Sequence, residues 1–315
     1  MFLVMRPRID VHICETGPRD GLQNLDLFLP TEAKCALISQ IAAAGVLEID
    51  AGSFVPPKVV PQFADVSAVI AHSLTHKDIV TGAVVPNAKG AERAIAAGVQ
   101  AIYFVISASK THNLANVRRT VAEQIGGFKA VRAQIDALPV ERRPHLMGAI
   151  STAFGCSLEG RVAESAVCAL AEAYAASGAD EIGLADTVGY GTPPQIKSVV
   201  KAVRAAVGAE MTLRLHLHDT LGLGLANAVA GLEVDIRRFD SAVSGLGGCP
   251  FAPGARGNIV TEDFVFMLEQ MGLSTGIDLD RLMQTREILK AHIPAHLLTG
   301  HLYDAGIPKL LRTVA

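Results

Sequence analysis

Three stretches, "AAAGVLEID" (residues 42–50), "AAGVQAIYF" (96–104) and "ASGADEIGL" (176–184), share one order: small helix-forming residues, a glycine, then a strand-like run. The glycines, Gly45, Gly98 and Gly178, fall where a helix must stop in a left-handed backbone conformation that a side chain would strain. Working outward, runs rich in β-branched residues recur at 11–15, 46–51, 79–85, 101–107, 145–151, 181–185, 213–218 and 238–244. Between them lie Ala-rich segments such as 31–44, 162–177 and 194–207, with apolar residues three or four apart, the spacing of amphipathic helices. Strand and helix alternating eight times predict an α/β fold of the (β/α)8 (TIM) barrel type. A doubly wound sheet is the alternative, but no GxGxxG follows the first strand. The reading gives a barrel over 1–275 and, where the repeat breaks, a C-terminal helical extension over 276–315 packed on it.

Half of the residues are hydrophobic, 19% are charged and the net charge is -3, which suits a compact enzyme and offers no basic field for nucleic acid. No apolar run of about 20 residues, long enough to span a bilayer, is present, and the N-terminal apolar run is too short for a secretory signal. Neither a membrane nor nucleic acid is therefore expected as a partner. Five cysteines without a CxxC argue against a disulfide framework or zinc knuckle, and the expected compartment is the cytoplasm. Cys14, Cys35 and Cys168 sit in apolar patterns as small buried residues, whereas Cys156 and Cys249 sit in Gly-rich loops and stay open.

A barrel of this kind carries its functional groups at the C-terminal ends of its strands. Arg19 and Asp20 follow the first strand in "CETGPRDGLQ", Asp50 ends the second, Asp186 and Thr187 end the sixth in "LADT", and "HLHDT" ends the seventh. His216 and His218 are two apart, so both face the barrel axis while Leu215 and Leu217 face the helices. Two imidazoles on one face, with a carboxylate available from the first strand, point to a metal site. After the eighth strand, "SGLGGCPFAPGARGN" (244–258) has the glycine and proline density of a loop whose backbone approaches a ligand closely.

The motifs "GPRDGLQN", "SFVPPKVVPQ", "GCSLEG", "DTVGYGTP", "HLHDTLGLGLAN" and "SGLGGCPFAPGARGNIVTED" occur in that order. Together they make the chain resemble the 3-hydroxy-3-methylglutaryl-CoA lyases, barrel metallolyases related to isopropylmalate synthase; "GLGGCP" resembles the lyase branch. The resemblance covers about 14–276 and implies metal-dependent carbon–carbon cleavage of a 3-hydroxyacyl-CoA into acetyl-CoA, or a similar acyl-CoA, and a keto acid such as acetoacetate. By motif position it implies Asp20, His216, His218 and Asn258 as ligands of one divalent cation. That mixed oxygen and nitrogen set suits Mg²⁺ or Mn²⁺. It further implies Arg19 beside the metal, His216 or Asp20 as the base, and Cys249 as the acid. Substrate contacts are expected from Gln23, Asp50, Ser53, Asp186, Thr187 and Arg118, and a homodimer is expected. Two departures bear on the substrate. Asp50 stands where these lyases typically carry glutamate, and Leu114 and Ala115 stand where they usually carry two lysines near the CoA phosphates; Arg118 and Arg119, read as helical, either replace that charge or are solvated surface. The alternatives are a citramalyl-type 3-hydroxydicarboxyl-CoA lyase and a synthase condensing an acyl-CoA with a 2-oxo acid.

Overall fold

The computed structural model describes residues 9–248 and 257–308. Eight parallel strands, β1 (His12–Glu15), β2 (Glu48–Ser53), β3 (Val80–Val85), β4 (Ala101–Ser107), β5 (His145–Ser151), β6 (Glu181–Asp186), β7 (Thr212–Leu217) and β8 (Arg238–Ser241), pair in chain order, and β8 returns to β1 to close a barrel. Closure excludes the open doubly wound sheet. The outer layer is α1 (Thr31–Ala43), α2 (Val66–Ser73), α3 (Ala88–Ala97), α4 (Lys110–Val117), α5 (Val121–Asp136), α6 (Glu164–Ala176), α7 (Pro193–Val207), α8 (Gly224–Leu232) and α9 (Thr261–Gln270). Gly45, Gly98 and Gly178 all have positive φ, +92°, +84° and +84°, as the repeat predicts. The last strand, expected to reach residue 244, stops at Ser241 because Val243–Gly245 forms a tight turn with Ser244 at φ +56°.

Side-chain alternation along the strands separates two layers of packing. Ile102, Phe104, Ile106, Leu213, Leu215 and Leu217 point outward into the main hydrophobic core under the helices. There Phe104 meets Phe128 of α5 edge-on, and Phe128 meets Tyr174 of α6, with centroids 5.7 and 4.7 Å apart. The inward positions form a smaller cluster of Cys14, Val84, Ala101, Tyr103 and Met147.

The lower barrel interior is ionic. The Arg214 guanidinium, 1% exposed, donates to both Glu181 oxygens at 2.9 Å, to Glu48 Oε1 at 2.7 Å and to Asp240 Oδ1 at 3.2 Å. Arg238 joins the same two glutamates from below, at 2.8 and 2.7 Å. Burial pushes the Glu181 carboxyl up, but Arg214, His145 and Arg238 outweigh it and hold the pKa at about 2 against an ordinary 4.5. A carboxyl depressed in the folded state stabilises above its unfolded pKa, and that contribution is lost as pH falls through the folded value. A displacement of this size corresponds to about 3 kcal/mol. Glu181→Gln should therefore destabilise the barrel by about 3 kcal/mol near neutrality, since it leaves the buried Arg214 and the half-buried Arg238 under-paired. The deficit should shrink between pH 4.5 and 2. Urea midpoints across that range check it, and a deficit constant down to pH 2 refutes it.

Beyond α9 the chain continues in short helices, α10 (Leu279–Met283), α11 (Thr285–Lys290) and α12 (His301–Ala305). The Asp278 N–H donates to Ala44 O at the end of α1, and Arg281 reaches Ala43 O. Thr299 N–H donates to Ser244 O, so this segment also supports the turn after β8. Among the described residues no helix is long and apolar enough to cross a membrane.

Candidate active site

The turn after β1 is a single π-helical turn, Gly17–Gly21, in which the N–H groups of Arg19, Asp20 and Gly21 all donate to Thr16 O. Such wide turns frequently occur at functional sites. Glu15, fully buried, holds it: Oε1 accepts from Gly17 N–H at 2.7 Å and Val243 N–H at 3.0 Å, and Oε2 accepts from Thr261 Oγ1 at 2.5 Å. The first and last strands' loops are thereby joined through one carboxyl group. From the turn, Arg19 donates through Nε to Asp50 Oδ2 at 2.6 Å and through Nη1 to Asp20 Oδ1 at 2.5 Å. The two flanking carboxylates raise the Arg19 pKa despite burial, so the guanidinium is permanently charged. Burial lifts the Asp50 carboxyl to about 6 in spite of Arg19, and its Oδ1 is buried without a hydrogen-bond partner among the described residues. Burial acts the same way on Asp20, but there Arg19, His218 and His216 prevail and hold it well below the usual carboxylate range.

Asp20 faces the end of β7. Its Oδ2 lies 3.9 Å from His216 Nε2 and 3.7 Å from His218 Nε2, and the two Nε2 atoms are 3.1 Å apart. These three groups can converge on one metal ion: their donor atoms all lie within 4.8 Å of one another. Asn258 arrives by backbone pairing, since Ile259 N–H donates to Leu217 O and Asp219 N–H to Gly257 O, bridging Asn258 to His218. Its Nδ2 donates to Asp20 Oδ2 at 2.8 Å and to Leu246 O at 3.1 Å. Gly247, at φ +128°, must be glycine: a Cβ there would stand 2.6 Å from Asn258 Nδ2.

The cluster fits a divalent cation. An ionised carboxylate and two imidazoles crowd their lone pairs together, while Asn258 Oδ1 is buried without a hydrogen-bond partner among the described residues. Acceptors in excess of protons are what a cation satisfies.

Of the other residues read from the sequence, Asp50 and Ser53 are buried on β2, and Asp50 joins the cluster through Arg19. Gln23 is half-buried just beyond the π-turn. Asp186 ends β6 with its two oxygens accepting from Tyr190 N–H and Gly191 N–H, both at 3.0 Å, which shapes the following loop; Thr187 Oγ1 accepts from Thr152 N–H. Arg118 and Arg119 are not helical. Both are exposed in the joint between α4 and α5, Arg118 at φ +55°, because the Thr120–Glu123 capping box starts a new helix there. Leu114 is exposed on α4. Cys156 is buried, its Sγ 3.2 Å from Ser109 Oγ. Cys249 lies outside the described residues.

Two features escaped the sequence reading. Asp240 of β8 contacts His216 Nδ1 at 3.1 Å, and Glu15 ties the two loops together. The signal for Asp240 was present in "RFDS", where charged residues alternate in the inward phase of a strand.

The HMGL-like family profile matches residues 10–289. A hydroxymethylglutaryl-CoA lyase of Bacillus subtilis (strain 168) is 39% identical over 273 residues, 87% of this chain and 90% of that protein. An (R)-citramalyl-CoA lyase of Chloroflexus aurantiacus is 41% identical over 303 residues, 92% and 94% of the two chains. Among solved structures, an HMG-CoA lyase from Acinetobacter baumannii in complex with coenzyme A and 3-methylmalate superposes with a TM-score of 0.89 at 43% identity, covering 97% of this chain and 98% of that one. With its closed barrel and its Asp20–His216–His218 cluster, the chain belongs to the HMGL-like family of carbon–carbon lyases.

Proposed function

We propose that the chain is a metal-dependent acyl-CoA lyase that cleaves a branched 3-hydroxyacyl-CoA ending in a carboxylate, of the 3-hydroxy-3-methylglutaryl or citramalyl class, to acetyl-CoA and a keto acid. The observation that carries this is the convergence of Asp20, His216 and His218 beside the Arg19–Asp50 pair at the strands' C-terminal ends. Asp20, His216, His218 and Asn258 would hold the cation, Mg²⁺ or Mn²⁺ by donor type, which supplies Lewis-acid polarisation of the substrate's hydroxyl. A base takes the C3 hydroxyl proton, Asp20 or, when its Nε2 is off the cation, His216; the C2–C3 bond then breaks, C3 becomes the ketone carbon, and the electron pair passes to C2 as the thioester enolate. Arg19 offers fixed positive charge to the enolate oxygen. Cys249, by its place in the glycine loop, returns a proton to C2. The same loop favours a lyase over a synthase, which has no need of a cysteine acid there. The four free cysteines among the described residues support a cytoplasmic setting, and the low net charge supports a small-molecule substrate without nucleic acid. We assign the assembly as a homodimer on family resemblance.

Asp50 decides between the substrate classes. Its carboxylate is one methylene shorter than the family's glutamate and leaves an oxygen beside Arg19 with no hydrogen-bond partner among the described residues. The citramalyl class is supported by the 41% identical relative of that name. A panel of 3-hydroxyacyl-CoA thioesters should show kcat/KM favouring another member over the methylglutaryl compound by roughly 10–200-fold. Asp50→Glu should move the preference back. A wild type that already prefers the methylglutaryl thioester at about 10⁴ M⁻¹s⁻¹ or more overturns the role of Asp50. Condensation of 2-oxo acids without any thioester cleavage replaces the lyase reading by the synthase.

A further inference from the structure

The ion layer of the barrel and the Asp20–His216–His218 cluster are one connected system, and Asp240 is the joint. In the parallel register of β7 and β8, Arg214 lies beside Arg238 and His216 beside Asp240, all on inward-facing positions. The Asp240 carboxylate is divided between the two levels. Oδ1 accepts from Arg214 Nη1 at 3.2 Å below, and Oδ2 lies 3.1 Å from His216 Nδ1 above. Arg214 cannot swing away, because its other nitrogens are bound by Glu181 and Glu48. A carboxylate fixed in this way only accepts hydrogen bonds, so the facing ring nitrogen must carry the proton.

We propose that Asp240 is the positioning residue for His216: it keeps the imidazole proton on Nδ1 and directs the free lone pair of Nε2 into the cluster with Asp20 and His218. His218 lacks this support. Its Nδ1 is buried with no hydrogen-bond partner among the described residues. The two histidines are thus unequal: His216 is held ready as a ligand from behind, and His218 is placed by its backbone bridge to Asn258. A carboxylate behind a ligating histidine orients the ring and raises its basicity, and losing such a partner typically weakens metal binding about 10–100-fold. The inference rests on the metal reading of the site for its consequence, but the geometry of Asp240 and His216 stands without it.

The test has two arms. In metal-free protein labelled with ¹⁵N-histidine, the ring shifts of His216, assigned with a His216→Gln sample, should report a protonated Nδ1 and a bare Nε2. A proton on Nε2 in the wild type overturns the proposal, and this arm requires no Asp240 variant to fold. In the second arm, Mn²⁺ binding is titrated by electron paramagnetic resonance for wild type, Asp240→Asn and Asp240→Ala. Affinity should fall about 10–100-fold in both variants, with Asp240→Asn the milder because its amide oxygen still accepts from Nδ1. Folded variants that bind Mn²⁺ within twofold of wild type overturn the proposal. If the wild type itself binds no Mn²⁺, the metal reading fails, and the tautomer of His216 alone decides whether Asp240 positions the ring.

Discussion

Treatment with a strong chelator should reduce thioester cleavage to background, and Mg²⁺ or Mn²⁺ should restore it. The cluster dictates the size of the effect. Asp20 is ionised throughout the physiological range because Arg19 and the two histidines hold its carboxyl well below the ordinary value. It therefore needs no pH adjustment to act as a ligand. His216 and His218 bring their Nε2 atoms to 3.1 Å, a spacing at which one must donate to the other unless a shared cation takes both lone pairs. Asp20→Ala removes the charged member and leaves Arg19 with Asp50 alone, so turnover should fall on the order of 10²–10⁴-fold. His218→Ala should weaken metal binding at least 10–100-fold, the loss already expected of an outer partner. Turnover and bound metal, measured on the same samples, check this together. Full activity in metal-free enzyme removes the metal from the reaction.

How much of this was legible depended on whether a residue's role is local. Gly45, Gly98 and Gly178 announced themselves because a left-handed residue after a helix is a demand of the local backbone, visible in any one repeat. His216 and His218 were legible for the same reason, since a spacing of two on a strand fixes their common face. Asp20 was legible as a carboxylate on the rim, but its meeting with Asn258 required the resemblance, because 238 residues separate them and only barrel closure with the Ile259–Leu217 backbone bond brings them within 2.8 Å. Asp240 and the Arg214 layer were not found. Their meaning lies in the register between neighbouring strands, and a list of strands in sequence does not state which rung faces which. The break after Val117 was missed for another reason: the run through Arg118 and Arg119 suits a helix, and the Thr120–Glu123 capping box overrides it by starting the next one.

Arg19 is expected to show the second large effect, and its geometry makes the prediction specific. Nε is bound to Asp50 and Nη1 to Asp20, so the guanidinium spans two carboxylates from a turn that Glu15 anchors. This arrangement holds a positive charge at one place, which is how an enzyme stabilises charge that develops only in the transition state. Arg19→Met should lower turnover on the order of 10²–10³-fold. Arg19→Lys should recover little of it, since a single ammonium cannot reproduce a planar fork shared by two carboxylates. Mn²⁺ affinity should not fall in Arg19→Met, because that substitution takes away a cation that competes for Asp20. A variant that loses turnover while retaining metal thus separates transition-state stabilisation from metal loading. Burial already lifts Asp50 to about 6 beside Arg19, and without that partner it should become protonated at neutral pH. Infrared difference spectra of Arg19→Met should then show a new protonated carboxyl, absent in Arg19→Met/Asp50→Asn. Turnover within tenfold of wild type in Arg19→Met removes Arg19 from the mechanism, and a loss of Mn²⁺ binding in step with turnover reduces it to a support for Asp20.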